Sequence, residues 1–268
     1  MDKLRESGMA GRLEGRIALV SGGLRGIGKA ICDCLEADGA VVYATDLDAP
    51  DSEAARAASQ YIRLDATSED AWIAARAQVE QDFGRLDILV NNVGADLTGK
   101  VQDLALADWR RLITLNLDTV FLGTKTFQPL LAKAGASTPY GSSIVNISSI
   151  MGLVGMGEVS AYNASKGGVR LFTKSNALEF ADAGVPIRVN SVHPGFVETP
   201  LLRKGFENWA AREGTTADAM IEAMAQTTPF KRLAQPVEIG KVVAFLASDD
   251  ASYMTGSEVV VDGGWTAR

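Results

Sequence analysis

The chain has 268 residues, of which 47% are hydrophobic and 22% are charged, and its formal net charge is −7. This composition is typical of a globular protein with one substantial core, and an acidic chain without a basic run is poorly suited to bind nucleic acid. No apolar stretch is long enough to cross a membrane, and the first residues lack the apolar core of a secretory signal, so we expect a cytoplasmic protein.

Seven short apolar runs indicate buried strands, and they alternate with longer segments of helical periodicity. The predicted strands cover residues 17–20, 40–45, 61–64, 86–90, 143–147, 187–192 and 258–261. The clearest helical segments cover residues 69–83, 107–134, 162–180 and 236–247. Apolar strands separated by helices predict the α/β class: a single Rossmann-like, doubly wound domain with a seven-stranded parallel sheet and helices on both faces.

No linker or repeat divides the chain. Residues 15–268 are therefore predicted to form a single dinucleotide-binding catalytic domain, preceded by a flexible N-terminal tail at 1–14. Residues 199–235 interrupt the alternation of strands and helices with an amphipathic pattern. Because this segment follows a strand at the carboxyl edge of the sheet, it is predicted to form a small helical lid over a substrate. A packed helical excursion with no moving role is the alternative.

The chain has few side chains that bind metals. Cys32 and Cys34 lie two residues apart in a predicted helix, where side chains do not face each other, so neither a disulfide nor a metal pair is expected. His193 is the only histidine, and a structural or loop-positioning role is predicted for it. The chemistry is therefore expected to use no metal.

A glycine-rich turn directly follows the first predicted strand and opens a helix. Its glycines, Gly22, Gly26 and Gly28, allow a tight turn in which backbone N–H groups approach a pyrophosphate at the helix N-terminus. A glycine-rich turn alone is weak evidence, but its position between strand and helix predicts a dinucleotide site.

Asp46 stands at the end of the second predicted strand, 20 residues past Gly26. A carboxylate at this position accepts hydrogen bonds from the adenosine ribose and repels a 2′-phosphate, which favours NAD over NADP. Arg25 in the glycine loop favours NADP, because a guanidinium can pair with that phosphate. We expect Asp46 to bind Arg25 itself, so the prediction is NAD; a capping role for Asp46 is the alternative.

Tyr162 and Lys166 are four residues apart in a predicted helix, so their side chains project from one face. A tyrosine is a poor base at neutral pH, and a neighbouring ammonium favours its phenolate and makes proton exchange with an alcohol practicable. An exposed helix face is the plain alternative. The upstream predicted strand favours chemistry, because it ends in Ser148 and Ser149 at the edge of the sheet where ligands bind.

These motifs together resemble the short-chain dehydrogenase/reductase family from Gly15 to about Gly264. The resemblance rests on Ser21-Gly-x-x-x-Gly-x-Gly28, Asn91-Asn-Val-Gly94, Tyr162-x-x-x-Lys166, Pro194-Gly195 and a serine 13 residues before the tyrosine. Within the family, residues 147–155 and 168–174 are similar to bacterial cyclopentanol and cyclohexanol dehydrogenases of the NAD type. The resemblance implies a homotetramer.

The resemblance also implies roles for individual residues. Tyr162 would be the general acid/base, Ser149 would hydrogen-bond the substrate oxygen, Lys166 would hold the nicotinamide ribose and lower the pKa of the tyrosine, and Asn116 would anchor a water for proton relay. Pattern and resemblance together give this cofactor site: Gly22, Arg25, Gly26, Ile27, Gly28, Asp46, Asp65, Ala66, Asn92, Gly94, Tyr162, Lys166, Pro194, Gly195, Val197 and Thr199.

An apolar wall is predicted around the substrate beside Ser149 and Tyr162, and it suits a hydrophobic ring. Its residues are Leu153, Met156, Phe196, Leu201, Leu202 and Phe206, with Trp209, Met220 and Met224 from the lid. The function predicted is oxidation of a secondary, cyclic alcohol to the ketone with NAD, acting on a small hydrophobic alcohol or ketone. The alternatives are an NADPH-dependent ketone, 3-oxoacyl or hydroxysteroid reductase, and a nucleotide-sensing protein that has lost turnover.

Overall fold

The computed structural model describes residues 11–267, in which seven strands form one parallel sheet in the order β3-β2-β1-β4-β5-β6-β7. The strands are β1 (Ile17–Ser21), β2 (Val41–Asp46), β3 (Gln60–Arg63), β4 (Ile88–Asn91), β5 (Ser142–Ile147), β6 (Ile187–Pro194) and β7 (Glu258–Val261). The strand order reverses between β1 and β4, and a crevice therefore opens at their carboxyl ends. The predicted fold class is confirmed.

Nine α-helices connect the strands within the described residues. They are α1 (Gly26–Ala37), α2 (Glu53–Arg56), α3 (Glu69–Phe83), α4 (Leu106–Ile113), α5 (Thr119–Gly135), α6 (Ser160–Asp182), α7 (Pro200–Glu213), α8 (Ala217–Thr227) and α9 (Pro236–Ala247). Among residues 11–267, no helix combines the length and the apolar character needed to cross a membrane.

Helices cover both faces of the sheet. Ala18 and Val20 of β1 lie in the core cluster that α1 and α9 complete, whereas Leu19 lies in the cluster that α3, α5 and α6 complete. Successive side chains of a strand point to opposite faces, so a strand covered on both sides favours apolar residues on both faces. This explains why the strands appear in the sequence as continuous apolar runs.

The segment predicted as one helix at 107–134 is interrupted. Between α4 and α5, Thr114–Asp118 form a π-helical turn, whose wider turn differs from the regular helix that the periodicity predicts. Asn116 lies at the centre of this turn with no exposed surface. The interruption is therefore placed at one of the predicted functional residues.

The ordered part of the chain begins earlier than residue 15. Leu13 is buried, and its N–H donates to the carbonyl of Asp38 over 2.9 Å, while Arg12 pairs with the Asp38 carboxylate at 2.6 Å. The boundary predicted for the tail is therefore too late, because burial of Leu13 holds residues 11–14 against the core. Residues 1–10 of the predicted tail lie outside the described residues. The predicted lid segment contains α7 and α8.

Candidate active site

A cleft of about 500 Å³ opens at the carboxyl ends of β1, β4, β5 and β6. It extends from the glycine-rich turn, past Tyr162 and Lys166, to residues of α7 such as Phe206. Parallel strands present their carboxyl ends at one edge, so residues far apart in the chain meet there. Most of the predicted site residues line this one cleft.

The glycine-rich turn is held tightly against the end of β4. A Cβ at Gly28 would lie 1.9 Å from the carbonyl oxygen of Gly22, so only glycine fits there. The side-chain amide of Asn92 donates to the carbonyls of Ser21 at 3.0 Å and Gly22 at 3.1 Å. This arrangement leaves the N-terminus of α1 facing the cleft, and its geometry fits the pyrophosphate of a dinucleotide.

Asp46 ends β2 and lines the cleft, as predicted, but it does not form the expected ion pair with Arg25. The Arg25 guanidinium binds Asp48 instead, with an N–O distance of 2.5 Å. Asp46 accepts a hydrogen bond from the N–H of Leu47 at 2.8 Å. The expectation that Asp46 claims Arg25 is therefore wrong, because Asp48 on the same loop takes the guanidinium and leaves Asp46 available to a ribose.

Asp65 and Ala66, predicted to contact the adenine, are not among the residues that line the cleft. The Asp65 carboxylate accepts from the backbone N–H of Thr67 at 2.9 Å and from its hydroxyl at 2.7 Å, so it stabilises the turn before α3. The carbonyl of Ala66 accepts from the indole N–H of Trp72 at 2.8 Å. Contact with the adenine stays a prediction for this pair.

The remaining predicted cofactor residues do line the cleft. They are Ile27, Gly94, Pro194, Gly195, Val197 and Thr199. Gly94 lies against two predicted functional groups, since a Cβ there would lie 3.2 Å from Oδ1 of Asn116 and 3.3 Å from Nζ of Lys166. A side chain at this position would fill the space beside both functional groups.

Tyr162 and Ser149 both line the cleft, and the Ser149 hydroxyl is close enough to Tyr162 to affect its pKa. The surrounding protein desolvates the phenol and raises the pKa of Tyr162 to about 12. The Asp96 carboxylate acts in the same direction, whereas the Ser149 hydroxyl lowers this pKa. Lys166 is not among the groups that shift this pKa, so the expectation that it lowers the pKa of Tyr162 stays a prediction.

Lys166 is buried, and its Nζ donates to the carbonyl oxygen of Ile147 at the end of β5 over 2.9 Å. Nζ also lies 5.9 Å from the centre of the Tyr162 ring. Burial lowers the pKa of Lys166 to about 8. The Ser148 hydroxyl donates to the backbone carbonyl of Lys166 at 2.9 Å and so fastens α6 to the end of β5. Ser149 is the serine that lies near Tyr162.

Asn116 fastens the loop after β4 to α6. Its amide accepts from the N–H of Ala95 at 2.8 Å and donates to the carbonyl of Ala95 at 2.9 Å and to the hydroxyl of Ser165 at 3.0 Å. The π-helical turn places the amide of Asn116 within hydrogen-bonding distance of these groups. Asn116 does not line the cleft directly, so its anchoring of a relay water stays a prediction.

His193 holds the backbone at Ser149. Its Nδ1 lies 2.9 Å from the carbonyl oxygen of Ser149, and its Nε2 lies 2.8 Å from the hydroxyl of Ser191. A carbonyl can only accept, so Nδ1 carries the proton and the Ser191 hydroxyl donates to Nε2. Burial lowers the pKa of His193, in keeping with a neutral positioning residue.

The apolar wall is partly as predicted. Met156, Phe196, Leu201, Leu202, Phe206 and Trp209 line the cleft. Leu153, Met220 and Met224 do not; the two methionines lie on α8, and no residue of α8 lines the cleft. Phe206 and Trp209 stack on α7 with ring centres 6.1 Å apart, and Phe196 packs edge-on against Trp265.

Sequence reasoning missed several residues that line the cleft, among them Met151, Val159 and Asp96. Met151 and Val159 line the cleft and belong to the cluster around Tyr162, and Asp96 lines it from the loop after β4. A signal for Asp96 was available, since it follows the Asn91-Asn-Val-Gly94 motif within two residues, at the edge of the sheet where ligands bind.

This geometry agrees with the comparison to known proteins. Residues 22–266 match the family model described as enoyl-(acyl carrier protein) reductase. The chain belongs to the short-chain dehydrogenase/reductase family. It is 41% identical to the 3-alpha-(or 20-beta)-hydroxysteroid dehydrogenase of Mycobacterium tuberculosis, over 97% of this chain and 92% of that protein.

Two other relatives are named as dehydrogenases of alcohols. The chain is 39% identical to a cyclopentanol dehydrogenase of Comamonas testosteroni, over 96% of this chain and all of the relative. It is 38% identical to an NADP-dependent (R)-specific alcohol dehydrogenase of Lentilactobacillus kefiri, over 97% and 100%. The structure of an aldohexose dehydrogenase from Thermoplasma acidophilum superposes with a TM-score of 0.87 at 32% identity, covering 97% of each chain.

The buried ammonium of Lys166 leads to a prediction about stability. Because its pKa is lowered from 10.5 to about 8, the unfolded chain holds this proton more tightly, and folding is penalised by about 3 kcal/mol below pH 8. Lys166→Met is therefore expected to raise the free energy of unfolding at pH 7. This gain should shrink as the pH rises from 8 to 10.5.

Urea unfolding at fixed protein concentration measures this effect. Lys133→Met, at an exposed position near the end of α5, is the control and is expected to change stability little. A Lys166→Met protein less stable than the wild type at pH 7 would show that the ammonium stabilises the fold.

Proposed function

We propose that this protein oxidises a secondary, cyclic and hydrophobic alcohol to the ketone, with NAD as the hydride acceptor. The observation that carries the proposal is the placement of Tyr162 near Ser149 and the buried Lys166, in a cleft whose far wall is apolar. The names of the relatives, which include cyclopentanol and hydroxysteroid dehydrogenases, support an alcohol on a ring.

When bound, NAD supplies the hydride acceptor and a positive charge on its oxidised ring. Ser149 and Tyr162 hold the substrate oxygen between their hydroxyl groups, which orients the carbinol carbon toward the cofactor groove. For oxidation, Tyr162 would first release its own proton to solvent, and its phenolate oxygen would then take the hydroxyl proton of the alcohol. The carbinol hydrogen would pass as hydride to bound NAD, which leaves the carbonyl of the ketone. Lys166, with a pKa of about 8, can exchange a proton with its surroundings near neutral pH.

Tyr162→Phe removes the proton-exchanging group and keeps the ring. Turnover of cyclohexanol, followed as nicotinamide absorbance, is expected to fall by about 10²- to 10⁴-fold, the usual contribution of general acid–base catalysis. Tyr140→Phe is the matched control, because Tyr140 is exposed on the loop before β5. Unchanged turnover in Tyr162→Phe would remove the tyrosine from the mechanism.

The preference for NAD rests on two carboxylates at the end of β2. Asp46 is available to the adenosine ribose, and Asp48 neutralises Arg25, the guanidinium that could otherwise bind a 2′-phosphate. Removing either carboxylate should weaken discrimination between the two cofactors.

Asp46→Ala and Asp48→Asn are each expected to lower the NAD to NADP ratio of kcat/KM by about tenfold, the order of one charge-assisted contact. In Asp48→Asn the change should come from improved use of NADP, since Arg25 is released. Asp51→Asn, on the exposed part of the same loop, is the control. A ratio unaffected by both substitutions would contradict the assignment of NAD.

The second candidate is an NADPH-dependent ketone, 3-oxoacyl or hydroxysteroid reductase. The raised pKa of Tyr162 favours it, because a protonated phenol is poised to donate a proton to a ketone. The NADP-dependent relative also supports it. A wild-type kcat/KM that is higher with NADPH and a ketone than with NAD and an alcohol would select this candidate.

We also propose that the protein is a homotetramer. Apolar side chains on the two long helices are exposed, namely Phe121 on α5 and Leu171 and Leu178 on α6, and such patches mark contact surfaces. Light scattering of the purified protein is expected to give four times the mass of the chain. A monomer at micromolar concentration would contradict the proposal.

A further inference from the structure

Asp96 is the one acidic side chain at the substrate end of the cleft, among the residues that line it. The other charged lining residues are Arg25 and Asp46 at the adenosine end, and Lys166, which is bound to the carbonyl of Ile147. Asp96 is close enough to Tyr162 to affect its pKa. An otherwise apolar wall therefore carries one carboxylate near the reacting group.

The backbone around Asp96 is fixed on both sides. The preceding residue, Ala95, is bound through its N–H and its carbonyl to the amide of Asn116. Two residues later, the carbonyl and hydroxyl of Thr98 each accept from the guanidinium of Arg212 on α7, at 3.1 Å. Asp96 is thus held at a defined place on the loop after β4, beside α7.

The carboxylate lies directly against α7 at a glycine. A Cβ at Gly205 would lie 2.3 Å from Oδ2 of Asp96, so a larger residue there would displace the carboxylate. Gly205 is next to Phe206, which forms the apolar wall on the same helix. The Asp96 carboxylate therefore lies next to the apolar wall of the cleft.

No cation neutralises this carboxylate within residues 11–267. It forms no ion pair, and Arg212, the nearby guanidinium on α7, binds Thr98 and lies 3.9 Å from Glu158. Protein surroundings raise the pKa of Asp96, while a hydrogen bond from its own backbone opposes the shift. Asp96 remains accessible from the cleft, so solvent can hydrogen-bond to its carboxylate. A substrate that displaces this solvent must itself donate hydrogen bonds to the carboxylate.

We propose that Asp96 selects, within the proposed alcohol dehydrogenase function, ring alcohols that carry a second hydrogen-bond-donating group, a hydroxyl or an ammonium, away from the reacting carbon. The same carboxylate repels a ring alcohol that carries a carboxylate at that place. The wall beside it offers no basic side chain to hold such an anion. Selectivity thus comes from one attractive and one repulsive interaction of a single group.

The test compares ring alcohols that differ in one substituent. Cyclohexanol is the reference, and the series adds a hydroxyl, an amino or a carboxylate group at ring position 3 or 4. In the wild type, kcat/KM is expected to be at least about tenfold higher for the better amino alcohol than for the corresponding carboxylate. The diol is expected to exceed cyclohexanol.

Asp96→Asn keeps the shape and an acceptor oxygen but removes the charge. The substitution should lower the ratio of kcat/KM for the amino alcohol to kcat/KM for the carboxylate by about tenfold or more. It should lower the ratio of kcat/KM for the diol to kcat/KM for cyclohexanol by a smaller factor. Asp103→Asn, exposed in the following turn, is the control and should keep the wild-type ratios. Equal ratios in the wild type and in Asp96→Asn would overturn the inference while leaving the dehydrogenase function in place.

Binding measurements distinguish a failure of the proposed function from a failure of the role proposed for Asp96. If none of the alcohols is turned over, the proposed function fails, and calorimetric titration of Tyr162→Phe with NAD and each alcohol decides the role of Asp96. Tighter binding of the amino alcohol than of the carboxylate, reversed or abolished in Asp96→Asn, supports the inference. Equal affinities, or no detectable binding of the amino alcohol, overturn it.

Discussion

The site depends on keeping one ammonium group, that of Lys166, out of water beside a tyrosine. A buried charge is tolerated only where polar groups compensate it, and here the compensation is the carbonyl of Ile147 at the open end of β5. Much of the surrounding structure serves this placement. α6 brings Tyr162 and Lys166 to the end of β5, and Ser148 ties the backbone of Lys166 to the same strand end.

A second set of contacts fixes backbone segments that line the cleft. Asn116 and His193 each bind backbone groups, of Ala95 and Ser149 respectively, and so position neighbours that face the substrate. Neither side chain needs to touch the reacting atoms to affect them. The π-helical turn is the local irregularity that lets Asn116 reach its partners, and such turns frequently occur at functional sites.

The sheet, its seven strands and the positions of the main motifs could be predicted from the sequence, because strands covered on both faces leave continuous apolar runs. The interruption at Thr114–Asp118 could not, because hydrophobic periodicity does not register one extra residue in a turn. The choice of Asp48 as the partner of Arg25 also escaped prediction. Two aspartates lie within reach on one loop, and only side-chain geometry decides between them.

The substrate wall shows the same division. Residues on α7, such as Phe206, were predicted from an amphipathic pattern, but the pattern could not show that α8 turns its methionines away from the cleft. Asp96 was missed because a single carboxylate in a loop has no periodic signature. Its position in the cleft is defined by the contact with Gly205, which lies more than one hundred residues later in the sequence.

The central claim is that Tyr162, Ser149 and Lys166 convert an alcohol to a ketone by direct transfer of a hydride from its carbinol carbon to NAD. It is tested most directly with cyclohexanol deuterated at that carbon, by mass spectrometry of the reduced cofactor. The NADH formed is expected to carry the deuterium. Reduced cofactor without deuterium, or no reduced cofactor from any secondary alcohol with NAD, would contradict it.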